Sequence, residues 1–198
     1  KSCAMVLERR DLSGTYAIPG TDVVLECLDP WREALVRDLE DVTVYGVGWD
    51  AAAARNPGLR LGHALHRSRD PRHAVDILQE HSFVVIVENC DAAGYASEKL
   101  YDALLAGAVP LYYGNVPPQL GIPEGVEAGL YLDLKKLLGD CPRDRASARL
   151  RDFLGALSEG QVAAWKARIA TQRAQVLARV DCASFAAAVN AALAQKPI

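Results

Sequence analysis

The chain has 198 residues, of which 51% are hydrophobic and 24% charged, and it carries a formal net charge of −3. Those proportions fit one well-buried soluble domain and exclude a disordered or fibrous chain. A pI near 5.8 excludes a general nucleic-acid binder, which would carry a strongly basic face.

The first predicted element is a strand, "SCAMVLE", followed by a helix over "DPWREALVRDLE" and a second strand, "VTVYG". A glycine- and arginine-containing connection then leads to a helix over "DPRHAVDILQEH". The run Phe83 to Val87 is apolar, short and without alternation, as a strand covered on both faces of a parallel sheet reads. Helical spacing follows at Leu100, Ala103, Leu104 and Gly107, with Gly107 at a C′ position and Pro110 preventing continuation. A further strand, Val109 to Tyr113, comes next, then the connection "GNVPPQLGIPEG" and a short strand candidate in "LYLDL". Helices are predicted over "RASARLRDFLGAL" and over a long C-terminal segment, about 158–195, which opens with the Ser158 to Gln161 spacing of a capping box. Alternating strands and helices predict a Rossmann-like parallel sheet with helices on both faces, in one domain over 1–198.

The loop between Val87 and the helix at Leu100 raises the functional question. With Ser97 as N-cap, Glu98 and Lys99 fall in the first helical turn, where the macrodipole favours a carboxylate and disfavours an ammonium. An anion held by Lys99 and the free backbone N–H groups reverses that preference, and a diphosphate is the usual such anion. The plain alternative is a solvated lysine. Glu88, Asn89, Tyr95, Ser97 and Glu98 cluster on the same loop, at the carboxyl end of a strand, where open α/β sheets bind ligands.

Two other patterns compete. "VTVYGVGWDA" fits the relaxed dinucleotide fingerprint, but Pro57 and Gly58 interrupt the helix it needs, and the acid in range, Asp70, lies in no predicted strand. "RLGHALHRSRDPRH" places His63 and His66 one turn apart without a third ligand at recognisable spacing. It reads as a solvated basic face, or as one that contacts an anionic substrate or a membrane surface. Five cysteines, Cys3, Cys27, Cys90, Cys141 and Cys182, form no CxxC pair. Their pattern gives no zinc or redox motif, and the odd count leans toward a reducing compartment. No apolar stretch approaches the roughly 18 residues that span a bilayer, and no signal peptide precedes the first strand. The chain opens on Lys1 rather than methionine, so a fragment is expected, from which a targeting segment or partner domain has been removed.

The pieces "FVVIVENC", "GYASEK" and "AGAVPLYYG" resemble, in order and spacing, the donor-binding signature of the α-1,3/1,4-fucosyltransferases, glycosyltransferase family 10. The strong match covers about thirty residues, Phe83 to Asn115. Cys90 stands where the family has serine, Ala96 where it has valine and Ser97 where it has threonine, and "LERRD" stands where the family has a Ser-Asn dipeptide. Upstream, "PWREALVRDLEDVTVYG" is similar to the family element that directs an arginine, here Arg32, at the donor phosphates.

The resemblance implies the C-terminal lobe of an inverting GT-B enzyme that transfers L-fucose from GDP-fucose to a glycan hydroxyl. Arg32 and Lys99 would meet the charge on the leaving diphosphate, and Glu98 would stabilise the sugar ring as catalytic residues. Glu88, Asn89, Tyr95 and Ser97 would bind the donor. No cofactor or metal is required on this reading, Mn2+ being at most stimulatory, and the general base would come from an N-terminal acceptor lobe absent from this chain. The expected partners are the nucleotide sugar and the glycan acceptor, with no nucleic acid. The expected location is cytoplasmic, peripheral to the inner membrane, for a bacterial source and the Golgi lumen for a eukaryotic one. The rivals are a GT-B enzyme using another nucleotide sugar and a non-catalytic module that binds a sugar nucleotide or glycan.

Overall fold

The two apolar runs without alternation are strands in which all five residues are buried, and they pair in parallel from Phe83↔Val109 to Val87↔Tyr113. The computed structural model describes residues 2–6, 14–17, 19–20, 22, 24–39, 42–46, 48–50, 59–62, 74–92, 95–116 and 122–180. In chain order the strands are β1 (Cys3–Val6), β2 (Thr15–Ala17), β3 (Val24–Cys27), β4 (Val42–Tyr45), β5 (Leu59–Gly62), β6 (Phe83–Val87), β7 (Cys90–Asp91), β8 (Val109–Tyr113) and β9 (Leu132–Asp133). The helices are α1 (Asp29–Asp38), α2 (Ala74–Leu78), α3 (Glu98–Leu105), α4 (Leu134–Leu138), α5 (Ala146–Ala156) and α6 (Glu159–Val180), with a 3-10 turn over Arg143–Arg145.

Six strands form one parallel sheet in the order β5-β4-β1-β6-β8-β9. Counted within that sheet, the order is 3-2-1-4-5-6, the doubly wound arrangement whose direction reverses between β1 and β6. Right-handed crossovers on either side of that reversal send helices to opposite faces. Accordingly α1 packs on α5, while α3 packs on α2 and α6. The expected Rossmann-like sheet with helices on both faces is therefore present.

Local chemistry explains the elements at the centre. Helix α3 buries Leu100, Ala103 and Leu104, and then stops. Gly107 takes φ 73°, its N–H bonds Leu104 O at 3.1 Å, and the Ala108 N–H bonds Ala103 O at 3.1 Å, which is the Schellman pattern. Pro110 lies inside β8 opposite Val84, yet β9 pairs with β8 only from Leu111 onward. The missing proline N–H thus leaves no gap in that short ladder.

A second sheet of three antiparallel strands, β2-β3-β7, was not expected. Its strands have two to four residues, and β3 alternates between exposed and part-buried positions before the buried Cys27, so hydrophobic pattern gives little notice of it. Strand β5 was read as connection; it is an edge strand with Leu61 44% exposed. The long C-terminal helix is described to Val180, and the rest of the predicted 158–195 segment lies outside the described residues, as do His63, His66 and Asp70.

Candidate functional site

Strand β6 ends at the reversal of the sheet, and the chain passes directly into Glu88 and Asn89. The Glu88 N–H still bonds Tyr113 O at 3.0 Å, so the ladder with β8 fixes the backbone there. The Glu88 side chain has no exposed surface. Its Oε1 accepts from the Ser97 N–H at 2.8 Å, the Ser97 hydroxyl at 2.8 Å and the Tyr112 hydroxyl at 2.9 Å. Gly114 leaves room for this arrangement, because a Cβ there would stand 2.8 Å from the Tyr112 ring and 2.9 Å from Glu88 Cγ. Burial, reinforced by Glu88, pushes the Tyr112 phenol far above its usual pKa, which keeps it a donor. Tyr112 is core, and it also holds the carboxylate.

Ser97 is the N-cap of α3, but its hydroxyl turns to Glu88, and no side chain caps the helix. Lys99 Nζ donates to Ser97 Oγ at 3.1 Å and lies 3.6 Å from Glu98 Oε1. The Lys99 side chain is 12% exposed, whereas that of Glu98 is 60% exposed. An ammonium largely withdrawn from water therefore sits at the positive end of a helix, with one hydroxyl and one distant carboxylate as its contacts among the described residues.

Arg32 is buried among protein acceptors. Its side chain is 2% exposed; Nε and Nη2 donate to Val87 O at 3.2 and 2.9 Å, Nη2 to Asn89 Oδ1 at 2.7 Å, and Nη1 to Asp29 Oδ1 at 2.6 Å. The guanidinium is bound to protein acceptors and clamps the start of α1 to the end of β6. Glu88 is likewise buried and engaged by protein donors. Asn89 receives Arg32 and donates from Nδ2 to the Tyr95 hydroxyl at 3.1 Å, so Asn89, Tyr95, Ser97, Glu98 and Lys99 form the reachable part of the cluster.

A neighbouring group escaped the sequence analysis. Lys135 Nζ lies 2.6 Å from Asp91 and 3.1 Å from Asn115 Oδ1, and 5.9 Å from the centre of the Tyr113 ring. Trp31 stacks at a tilt on Tyr113, 4.9 Å between ring centres, and the Arg143 guanidinium lies 5.6 Å over Trp31. Burial, ahead of Glu26 and Asp91, pushes the Tyr113 phenol up to about 12. These residues come from β7, β8 and the residues after it, α1, α4 and the 3-10 turn, and no spacing in the sequence links them. Among the described residues, no group of three His, Cys, Asp or Glu side chains could hold a metal ion, and no helix is long and apolar enough to cross a membrane.

No known family profile matches the sequence, and no curated protein sequence does. Among solved structures, an α1,3-fucosyltransferase is 16% identical with a TM-score of 0.47, over 83% of this chain and 36% of its own. HepE of Anabaena, solved in complex with UDP-glucose, is 10% identical with a TM-score of 0.53, over 98% of this chain and 49% of its own. The chain thus spans half or less of each of these proteins. The likeness is one of fold, an α/β Rossmann-like parallel sheet with helices on both faces.

Proposed function

We propose that the chain is the donor-binding lobe of an inverting GT-B glycosyltransferase that moves L-fucose from GDP-fucose to a glycan hydroxyl. The observation that carries this reading is the Lys99 ammonium, 12% exposed on the first turn of an uncapped helix at the reversal of a parallel sheet. A diphosphate supplies the counter-charge that such a cation and such a helix end favour. In the transfer, the bond between the sugar C1 and the diphosphate oxygen breaks, and the acceptor oxygen bonds to C1 from the opposite face. The acceptor proton passes to a carboxylate base of a second lobe. Charge grows on the diphosphate as C1–O breaks, where Lys99 and the α3 N–H groups stabilise it more than in the ground state. Glu98 stabilises the cationic sugar ring. Asn89, Tyr95 and Ser97 hold the donor, while Arg32 and Glu88 position Asn89 and Ser97 from beneath. This chain's residues supply the positive charge; Mn2+, where present, enters as the counter-ion of the diphosphate substrate.

The resemblance at "ENC" and "GYASEK" favours GDP-fucose. The UDP-glucose bound by HepE favours a second reading, a UDP-sugar in the same place. Calorimetry with GDP, GDP-fucose, UDP and UDP-glucose separates them. GDP and its fucose ester are expected to bind more tightly than either uridine ligand. Equal or tighter binding of UDP would overturn the fucosyl-donor reading and leave the lobe standing; binding of neither nucleotide would overturn both.

A further inference from the structure

Cys27 and Cys90 face each other across the antiparallel pair of β3 and β7. The Cys27 N–H donates to Gly14 O at 3.0 Å, on the opposite side of β3, and the adjoining pair, Leu28 and Asn89, carries the inter-strand bond at 3.2 Å. The two cysteines therefore occupy a non-hydrogen-bonded pair, where Cα atoms stand about 4.5 Å apart and side chains are closest. That separation falls inside the roughly 4.4–6.8 Å that a disulfide spans, near its short end, where strain makes the bond easier to reduce. Both residues are thiols; Cys27 is 3% exposed and Cys90 is half-buried.

We infer that Cys27 and Cys90 form a reversible intrachain disulfide by exchange with a low-molecular-weight disulfide of the glutathione class. The more accessible Cys90 thiolate attacks one sulfur of oxidised glutathione, giving a mixed disulfide and one glutathione thiolate. Cys27, losing its proton to solvent, then attacks the Cys90 sulfur and releases the second glutathione. Two protein thiols are oxidised and one glutathione disulfide is reduced to two thiols. Burial, ahead of Glu88, Asp91 and Cys27 and opposed by Arg32, holds the Cys90 thiol above its usual pKa, so exchange is slow at neutral pH. The bond joins the residue before Leu28 to the residue after Asn89. It latches β3 to β7, next to the Asn89 side chain that accepts from Arg32, and the inference stands independently of which donor the site takes.

The test oxidises the reduced full chain with oxidised glutathione at pH 8.5, alkylates it and digests it with trypsin without reductant. Cys27 and Cys90 lie in separate tryptic peptides, 11–32 and 73–99, each with a single cysteine. The expected result is these two peptides linked, lighter by two hydrogens than their sum and separated again by reduced glutathione. The oxidised chain should melt at least about 5 °C higher, and Cys90→Ser should remove both the link and the rise. Alkylation of both thiols, glutathione retained on Cys90, or linkage to Cys3, Cys141 or Cys182 would overturn the pairing. A link without a rise in melting temperature would overturn the latch. Should Cys90→Ser fail to fold, the peptide map of the unmodified sequence still decides.

Discussion

Lys99 and Arg32 were assigned one task from sequence, and the structure gives them different surroundings. Lys99→Ala should weaken GDP binding by about 1.5 to 3 kcal/mol, the range of a charge-assisted hydrogen bond, with the melting temperature nearly unchanged. Lys136, whose side chain is 68% exposed and pairs with Glu124, provides the control. Calorimetry giving the same affinity for both variants would return Lys99 to a solvated surface role. Arg32→Ala should instead cost about 3 to 5 kcal/mol of folding stability, because it leaves the buried Asp29 carboxylate uncompensated. A denaturant titration measures this. The position of Lys99 was legible because a helix's first turn is defined locally. The burial of Arg32 and Glu88 was not, because it depends on acceptors and donors 55 and 24 residues away. His81 adds a pH dependence. Its Nε2 meets the Tyr45 hydroxyl at 2.9 Å, its Nδ1 is buried without a hydrogen-bond partner among the described residues, and burial lowers its pKa below 6.5. The unfolded chain then takes up the proton more readily, so stability falls as pH drops below about 6.5 toward the folded value. Melting curves at pH 7.5 and 5.5 should show a smaller difference for His81→Phe than for the unmodified sequence; an equal difference would remove His81 from the acid sensitivity.

Whole elements were legible where their signals lie within a few residues. The Schellman end of α3 follows from Gly107, and the start of α6 from Ser158 and Gln161. The Gln161 N–H donates to Ser158 Oγ at 3.2 Å while the Ser158 N–H donates to Gln161 Oε1 at 2.9 Å, so the capping box is closed in both directions. Ser158→Ala should cost about 1 kcal/mol, read from the urea midpoint at unchanged slope. Helix α6 bears on the site indirectly: it buries Val162, Trp165 and Ile169 and packs on α3, whose first turn carries Lys99. The elements that sequence missed share a different physics. Strand β3 pairs with β7 across more than sixty residues of chain, and two to four residues carry too little periodicity to announce β2, β3 or β7. Strand β5 hid for a related reason. Its place at the sheet edge requires one buried residue, Leu59, and tolerates exposed Arg60 and Leu61.

At the scale of the molecule, the proposed function puts a donor at the parallel sheet, and an inverting transfer needs a base on the far side of the sugar. The chain corresponds to 49% of the length of HepE. Residues 1–198 are therefore expected to bind the donor nucleotide and to transfer no fucose unless a second lobe is supplied. A radiolabelled GDP-fucose assay on this chain decides; acceptor-dependent transfer at ordinary enzyme rates would place the base within it, with Glu8 and Asp11 as the residues to substitute. Strand order has a further consequence, in time. β1 is an inner strand, with Cys3 paired to Val42 on one side and to Phe83 on the other. During synthesis the β1–β4 pair can close early, but its second edge stays open until β6 has emerged, some eighty residues after β1. At about 5 to 20 residues per second, that apolar edge waits for several seconds. Slowed translation before Phe83 should then lower the soluble yield more than the same delay placed after Tyr113, when the central ladder is already closed.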